Sequence, residues 1–191
     1  MKQQSTDSAR PIILLDLNYT LVANNPARGT TPERMEKRLA NEQYRQWLVE
    51  LVRPHPVVLI TARPETWTIK TLDRIEEQTG WRPQDACFAP KGWWNPPAIK
   101  EHLLKKDVFP THGDDARYLA IESNPRSREM YAKFSIPCFW VTPEGTCLTE
   151  GTRLIRQLNK TLKIQNFSDT APAFDPPQAI RTELKPPSAA T

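Results

Sequence analysis

The chain has 191 residues and a mass of 21.9 kDa, the size of one domain with a sizeable core. Its 38% hydrophobic and 25% charged residues match globular averages and exclude fibrous and wholly disordered classes. A net charge of +4 and a pI near 9.0 permit a polyanionic partner without requiring one. No run of residues nears the ~20 apolar positions of a membrane span, and the first residues lack an apolar secretory core. Three cysteines (Cys87, Cys138, Cys147) without a CxxC pair argue against a disulfide framework or a zinc cluster. A soluble, cytoplasmic protein without membrane contact is expected.

Residues 1–10 are polar and are expected to be a flexible N-terminus. Pro11-Ile12-Ile13-Leu14-Leu15 is then a continuous apolar run ending at Asp16. Four similar runs follow: Val57 to Ile60, Ala86 to Ala89, Tyr118 to Ile121, and Cys138 to Val141. Runs without polar alternation suit strands buried on both faces, as in a parallel sheet. Between them, Glu33 to Val52 reads as one amphipathic helix with Met35, Leu39, Tyr44, Trp47, Leu48 and Leu51 on its apolar face. Further helices are expected over 65–79, stopping at Gly80, over Ala98 to Lys105, over Arg126 to Phe134, and over 151–163.

The 19 prolines, about twice the ~5% norm, largely punctuate these elements. Thr31-Pro32, Arg63-Pro64, Asn95-Pro96 and Asn124-Pro125 read as helix starts with a capping residue before most of them. Alternation of strand and helix predicts a three-layer Rossmannoid α/β domain over 11–164, with a mainly parallel five-stranded sheet. From residue 165 the hydrophobic periodicity ends, and 165–191, with Pro172, Pro176, Pro177, Pro186 and Pro187, reads as a disordered Pro-rich tail.

Open α/β sheets bind ligands beyond the carboxyl ends of their strands. The residues placed there are Asp16-Leu17-Asn18-Tyr19-Thr20, then Thr61-Ala62-Arg63, then Lys91 to Pro97 with Lys100 in the next helix, then Glu122-Ser123-Asn124. A carboxylate, a hydroxyl, a cation and a second carboxylate on one rim are what phosphoryl transfer requires, since that chemistry is mostly positioning and charge neutralisation.

In this order the residues resemble the haloacid dehalogenase superfamily. Its first motif, hhhhDxDxT, is matched by Ile12 to Thr20, its second by Thr61, its third by Lys100 and its fourth by Glu122-Ser123. Within the superfamily, the chain is similar over about 11–149 to the 3′-phosphatase domain of phage-type polynucleotide kinases. That similarity rests on Ile60-Thr61-Ala62-Arg63, Ala98-Ile99-Lys100-Glu101, Leu119 to Pro125, Arg128-Glu129-Met130-Tyr131 and Ile136 to Val141. The resemblance implies hydrolysis of phosphomonoesters, with nucleic-acid 3′ ends among the substrates. Asp16 would be the nucleophile, and the Mg²⁺ ligands would be Asp16, the Asn18 carbonyl, Glu122 and Ser123. Thr61 would bind the transferring group, Lys100 would neutralise charge, and Thr20 would support the loop.

Two departures stand out. Asn18 occupies the position of the family's general acid/base aspartate, a role worth ~10²–10⁴-fold. Glu122-Ser123 stands where an Asp-Asp pair is common, and Mg²⁺ demands near-ideal octahedral geometry. Two readings therefore stand: a phosphatase for undemanding leaving groups, or a catalytically impaired module that binds phosphate or nucleic acid.

The segments Leu21 to Thr31 and Phe88 to Lys100 are too short for a large cap domain, so an open site and a bulky substrate are expected. Lys91, Trp93 and Trp94 either clamp a terminal nucleotide or pack beneath their loop. Arg63 either reaches a substrate phosphate or is a solvated helix-start arginine. His55, His102 and His112 lack metal-ligand spacing.

Overall fold

Each of the five apolar runs forms a strand. In a computed structural model, which describes residues 11–24 and 31–142 together with Arg156, the strands are β1 (Ile12–Leu15), β2 (Val57–Pro64), β3 (Asp85–Ala89), β4 (Tyr118–Glu122) and β5 (Cys138–Trp140). They pair in the order β3-β2-β1-β4-β5, all parallel. Parallel strands need covered crossovers, so both faces of this sheet are buried, and that is why the strands read as unbroken apolar runs. Successive side chains alternate between two cores: Ile13, Leu15, Leu59 and Ile121 face one, and Leu14, Val58, Ile60 and Ala120 the other.

The helices are α1 (Pro32–Ala40), α2 (Gln46–Val52), α3 (Thr68–Thr79), α4 (Pro96–Leu103), α5 (Phe109–His112) and α6 (Pro125–Lys133). Leu48, Val49 and Val52 of α2 and Ile75 of α3 close the first core. Ile99 and Leu103 of α4 and Met130 and Tyr131 of α6 close the second. Three layers result, as the α/β alternation predicts. No helix among the described residues is long and apolar enough to cross a membrane.

Three local expectations are corrected. The single helix over 33–52 is two helices, broken at residues 41–45. There Tyr44 bridges Val22 in an antiparallel contact, the Ala23 N–H donates to the Gln43 carbonyl (2.7 Å), and the Arg45 N–H donates to the Leu21 carbonyl (2.9 Å). Residues 41–45 thus satisfy the loop after β1 rather than continue a helix. Second, Arg63-Pro64 is not a helix start. The strand runs on to Pro64, with its register against β3 shifting between Thr61 and Pro64, and α3 begins only after a 3₁₀ turn at Glu65–Trp67. Third, of the Pro-preceding caps only Asn124 acts through its side chain, which accepts the Arg126 N–H (2.9 Å); Thr31 and Asn95 make no such bond. The helix expected at 151–163, the flexible N-terminus and the Pro-rich tail lie outside the described residues, apart from Arg156.

β1 is central, and the chain crosses to opposite sides of it, β2 and β3 on one flank and β4 and β5 on the other. That reversal makes a switch point at the carboxyl ends of β1 and β4, where a crevice for ligands is expected. The Asp16 N–H, donating to the Ile121 carbonyl (3.0 Å), extends the β1–β4 ladder and ties Asp16 to the end of β4.

Candidate active site

The residue at the centre of this rim is Lys100. It lies in the middle of α4, held down by Ile99 and Leu103, which are almost wholly buried. Its side chain is 2% exposed, and its ammonium donates to Asp16 Oδ1 (2.5 Å) and to Glu122 Oε2. Asp16 Oδ2 accepts the Thr20 hydroxyl (2.6 Å). Glu122 Oε1 accepts two main-chain N–H groups, from Ser123 (3.0 Å) and Asn124 (2.8 Å). Two carboxylates therefore share one buried ammonium, an excess of one negative charge when both are ionised.

Burial first, and then the neighbouring Asp16 charge, push the Glu122 carboxyl up from its usual range, against the pull of Lys100 and the Asn124 N–H. Burial alone would lower the Lys100 ammonium, but Asp16 and Glu122 outweigh it and hold Lys100 above its ordinary value. Lys100 is accordingly a fixed cation at any physiological pH.

The loop that carries Asn18 is tightly folded back: the Val22 N–H reaches the Leu17 carbonyl (2.8 Å), and Tyr19 adopts a left-handed backbone at φ 63°. A non-glycine residue there is uncommon and held only by its surroundings. Arg45 supplies some of that support, donating from Nε to the Thr20 carbonyl (3.0 Å). The Asn18 main-chain carbonyl accepts the Ser123 hydroxyl (3.3 Å), which joins the loop to the end of β4.

The Asn18 side chain faces two arginines, Arg63 buried and Arg38 partly so. Its Oδ1 accepts from the Arg38 guanidinium (2.5 Å) and from Arg63 (3.3 Å). Arg63 is 2% exposed and pairs with the buried Glu42, and its second nitrogen donates to the Thr71 hydroxyl (2.9 Å). Arg38 also approaches Glu42 (3.4 Å), and the Tyr44 hydroxyl donates to it (2.9 Å). Two guanidiniums share one carboxylate, and burial, followed by the Arg63 charge, holds Arg38 below its usual pKa. With Asn18 neutral, this cluster keeps one positive charge.

Of the residues singled out in the sequence, Asp16, Lys100, Glu122, Ser123 and the Asn18 carbonyl meet at one place. Thr61 is wholly buried within β2, and its hydroxyl accepts the Arg63 N–H (3.2 Å), which leaves its own O–H free to donate. Arg63 is turned towards Glu42, Thr71 and Asn18 rather than solvated. Lys91, Trp93 and Trp94 all lie exposed on the loop after β3, with Trp93 resting on the His102 ring at 4.8 Å. Arg38, Glu42 and Tyr44 were not foreseen as site residues. The signal was available in the spacing, because Leu39 to Tyr44 is one residue too long for a continuous helical stripe. A cleft of about 590 Å³ lies at the other end of the sheet, against Phe109, Tyr118 and Pro137, and includes none of these groups.

The donor set suits a magnesium ion of the kind that keeps several waters and takes one or two carboxylates. The oxygens of Asp16, the Asn18 carbonyl, Ser123 and Glu122 are all hard donors, and with both carboxylates ionised they leave one negative charge that Lys100 does not offset. No cage of three or more His, Cys, Asp or Glu side chains occurs among the described residues.

Fold and site together define an open parallel α/β domain with a carboxylate–ammonium–carboxylate centre at its switch point. No family model matches the chain. No curated protein matches it by sequence. Among solved structures, it is similar to a chain of the Pnkp1/Rnl/Hen1 RNA repair complex, at 14% identity and a TM-score of 0.52, covering 74% of this chain and 47% of that one. A second structure of the Pnkp1/Rnl/Hen1 complex gives 14% identity and a TM-score of 0.56, covering 74% and 51%. The chain thus spans about half the length of those chains, and the likeness is one of fold.

Proposed function

We propose that the chain is a Mg²⁺-dependent phosphomonoesterase of the haloacid dehalogenase type, with Asp16 as nucleophile and phosphorylated nucleic-acid ends as substrates. The observation that carries this reading is the Lys100 ammonium held between Asp16 and Glu122 at the carboxyl ends of β1 and β4. The fold likeness to a component of an RNA repair complex supports the substrate class.

In the first step an Asp16 carboxylate oxygen attacks phosphorus. The ester P–O bond breaks with its electron pair on the departing oxygen, and an acyl phosphate remains on Asp16. Water then attacks the same phosphorus, inorganic phosphate leaves and the carboxylate returns. Lys100 and Thr20 fix the Asp16 carboxylate from opposite oxygens, so little reorganisation precedes attack. Lys100 also offsets phosphoryl charge, and the free Thr61 O–H donates to a phosphoryl oxygen. Bound Mg²⁺, held by Asp16, the Asn18 carbonyl, Ser123 and Glu122, would supply further charge neutralisation.

Asn18 has no proton to give. Because its Oδ1 is taken by two guanidiniums, its N–H₂ group is left to donate a hydrogen bond. The departing oxygen must therefore leave as an anion or take its proton from water. An aryl phosphate should be cleaved at least ~10²-fold faster than an alkyl phosphate of equal size. Phosphate release with Mg²⁺ from an aryl ester and from a 3′-phosphorylated oligonucleotide tests the reading. Asp16→Asn, nearly isosteric, should lower it by roughly 10⁴-fold or more. An unchanged rate in that variant would sink the assignment of Asp16.

The same Asn18 amide favours a second reading, a domain of this fold that binds phosphate without turning it over. That reading requires phosphate binding by the intact chain and no release from either ester.

A further inference from the structure

Exposed large hydrophobic side chains are few among the described residues: Tyr19, Ile69, Trp93, Trp94 and Trp140. All five lie at, or on segments leaving, the carboxyl ends of strands, around the rim that holds Asp16. Four of the five are aromatic. At one edge of the sheet an exposed tryptophan lies against an arginine, and at the other a lysine precedes an exposed tryptophan by three residues; neither cation pairs with a carboxylate among the described residues.

On one side this is Trp94, 73% exposed on the loop after β3, with Lys91 three residues before it. Gly92, at φ 84°, makes the turn between them. On the other side it is Trp140, 49% exposed at the end of β5, in register with Glu122 of the central site. The Arg128 guanidinium stacks on the Trp140 ring at 5.2 Å, and its buried Nε has no hydrogen-bond partner among the described residues. The two edge strands are separated by four strand spacings of ~4.8 Å, about 19 Å in all. Asp16 lies between them, just past the end of the central strand.

We propose that Trp94 with Lys91 and Trp140 with Arg128 are two stacking stations for unpaired bases, so that a single nucleic-acid strand lies across the rim on both sides of the phosphate at Asp16. This rests on the reading of Asp16 as a site for phosphate. Every base has a face that stacks on an indole, and a cation beside each ring meets the strand's own phosphates. An aliphatic surface on a protein partner would use the rings but not the cations, and an acidic one the cations but not the rings. A lone mononucleotide reaches one station, and a strand of several nucleotides reaches both.

The test measures binding by fluorescence anisotropy, using the full chain carrying Asp16→Asn so that no turnover intervenes. The probes are labelled, 3′-phosphorylated oligothymidylates: a dinucleotide, and a strand of about twelve nucleotides, within the range that single-strand platforms span. Trp94→Ala and Trp140→Ala should each weaken the longer strand about tenfold, as expected for one lost stack, and the dinucleotide should respond to at most one of them. Both rings are exposed, so neither change threatens the core. Equal affinity for the two lengths, or no response to either substitution, would overturn the platform. So would equally tight binding of a polyglutamate peptide of matched charge, which would point to an acidic protein. Aryl phosphate release by the unsubstituted chain, measured alongside, separates the two ideas. Hydrolysis without strand binding removes the platform alone, and strand binding through both tryptophans without hydrolysis removes the nucleophile alone.

Discussion

Lys100→Met is expected to destabilise the fold by about 3–5 kcal/mol at neutral pH, the usual consequence of removing one partner from a buried ionic cluster. Asp16 and Glu122 would then face one another without their ammonium, with Glu122 wholly buried. Two carboxylates so placed cannot both stay ionised, and the more buried one takes up a proton. The pH dependence has a definite sign. Glu122 already has a raised pKa in the folded chain, and loss of Lys100 raises it further. A group raised on folding contributes stability below its unfolded pKa and loses it as pH climbs through the folded one. The unfolded value is common to both proteins, so the deficit of the variant should be smallest below about pH 7, where Glu122 titrates in the unsubstituted chain, and grow above it. Urea unfolding of both proteins across that range, with chelator present, measures it. A deficit independent of pH would mean that lost packing of the lysine stem, not unpaired charge, is responsible.

Asn18→Asp should stabilise the protein by about 1.5 kcal/mol without restoring an acid catalyst, since hydrogen bonds to charged groups contribute that much or more. The new carboxylate would stand where the amide oxygen now accepts from Arg38 and Arg63. It would neutralise the remaining positive charge of a cluster in which two guanidiniums share Glu42. A carboxylate beside arginine typically falls 1–3 units in pKa, so at neutral pH it would hold no proton to deliver. The alkyl-to-aryl rate ratio should then move far less than the ~10²–10⁴-fold that a working general acid provides. The melting temperature should rise by roughly 3–6 °C for a chain of this size. A gain of several hundredfold on the alkyl ester would show that substrate binding frees position 18 from the two arginines.

The strands were legible because a parallel sheet covered on both faces leaves runs such as Ile12 to Leu15 and Val57 to Ile60 with no polar interruption. Asp16, Lys100 and Glu122 were legible for a related reason: chemistry in such folds collects where strands end, so reading the residues after each run was enough to gather them. The placement of β4 beside β1, with Leu15 paired to Ile121, does not follow from any local pattern.

The Arg38–Glu42–Arg63 cluster was hidden. Glu42 and Arg63 lie 21 residues apart, and each alone looks like an ordinary surface charge on a helix or loop. Only the break at residues 41–45 turns Glu42 inward, and that break is driven by pairing with Leu21 and Ala23 across the loop after β1. Tertiary hydrogen bonds there break a helical pattern whose one local flaw is the five-residue step from Leu39 to Tyr44. Arg63 shows the same thing from the other side, because a strand that runs to Pro64 carries the guanidinium into the interior rather than out to solvent.

The most direct measurement is to trap the covalent state. The full chain is mixed with an aryl phosphate and Mg²⁺, quenched in acid, and treated with borohydride, which reduces an aspartyl phosphate to homoserine. Mass spectrometry of the digest then locates the change. The account predicts homoserine at position 16, and none when phosphate ester is omitted or when the chain carries Asp16→Asn. Release of phosphate with no reduction product at position 16, or with the product at another carboxylate, would contradict it.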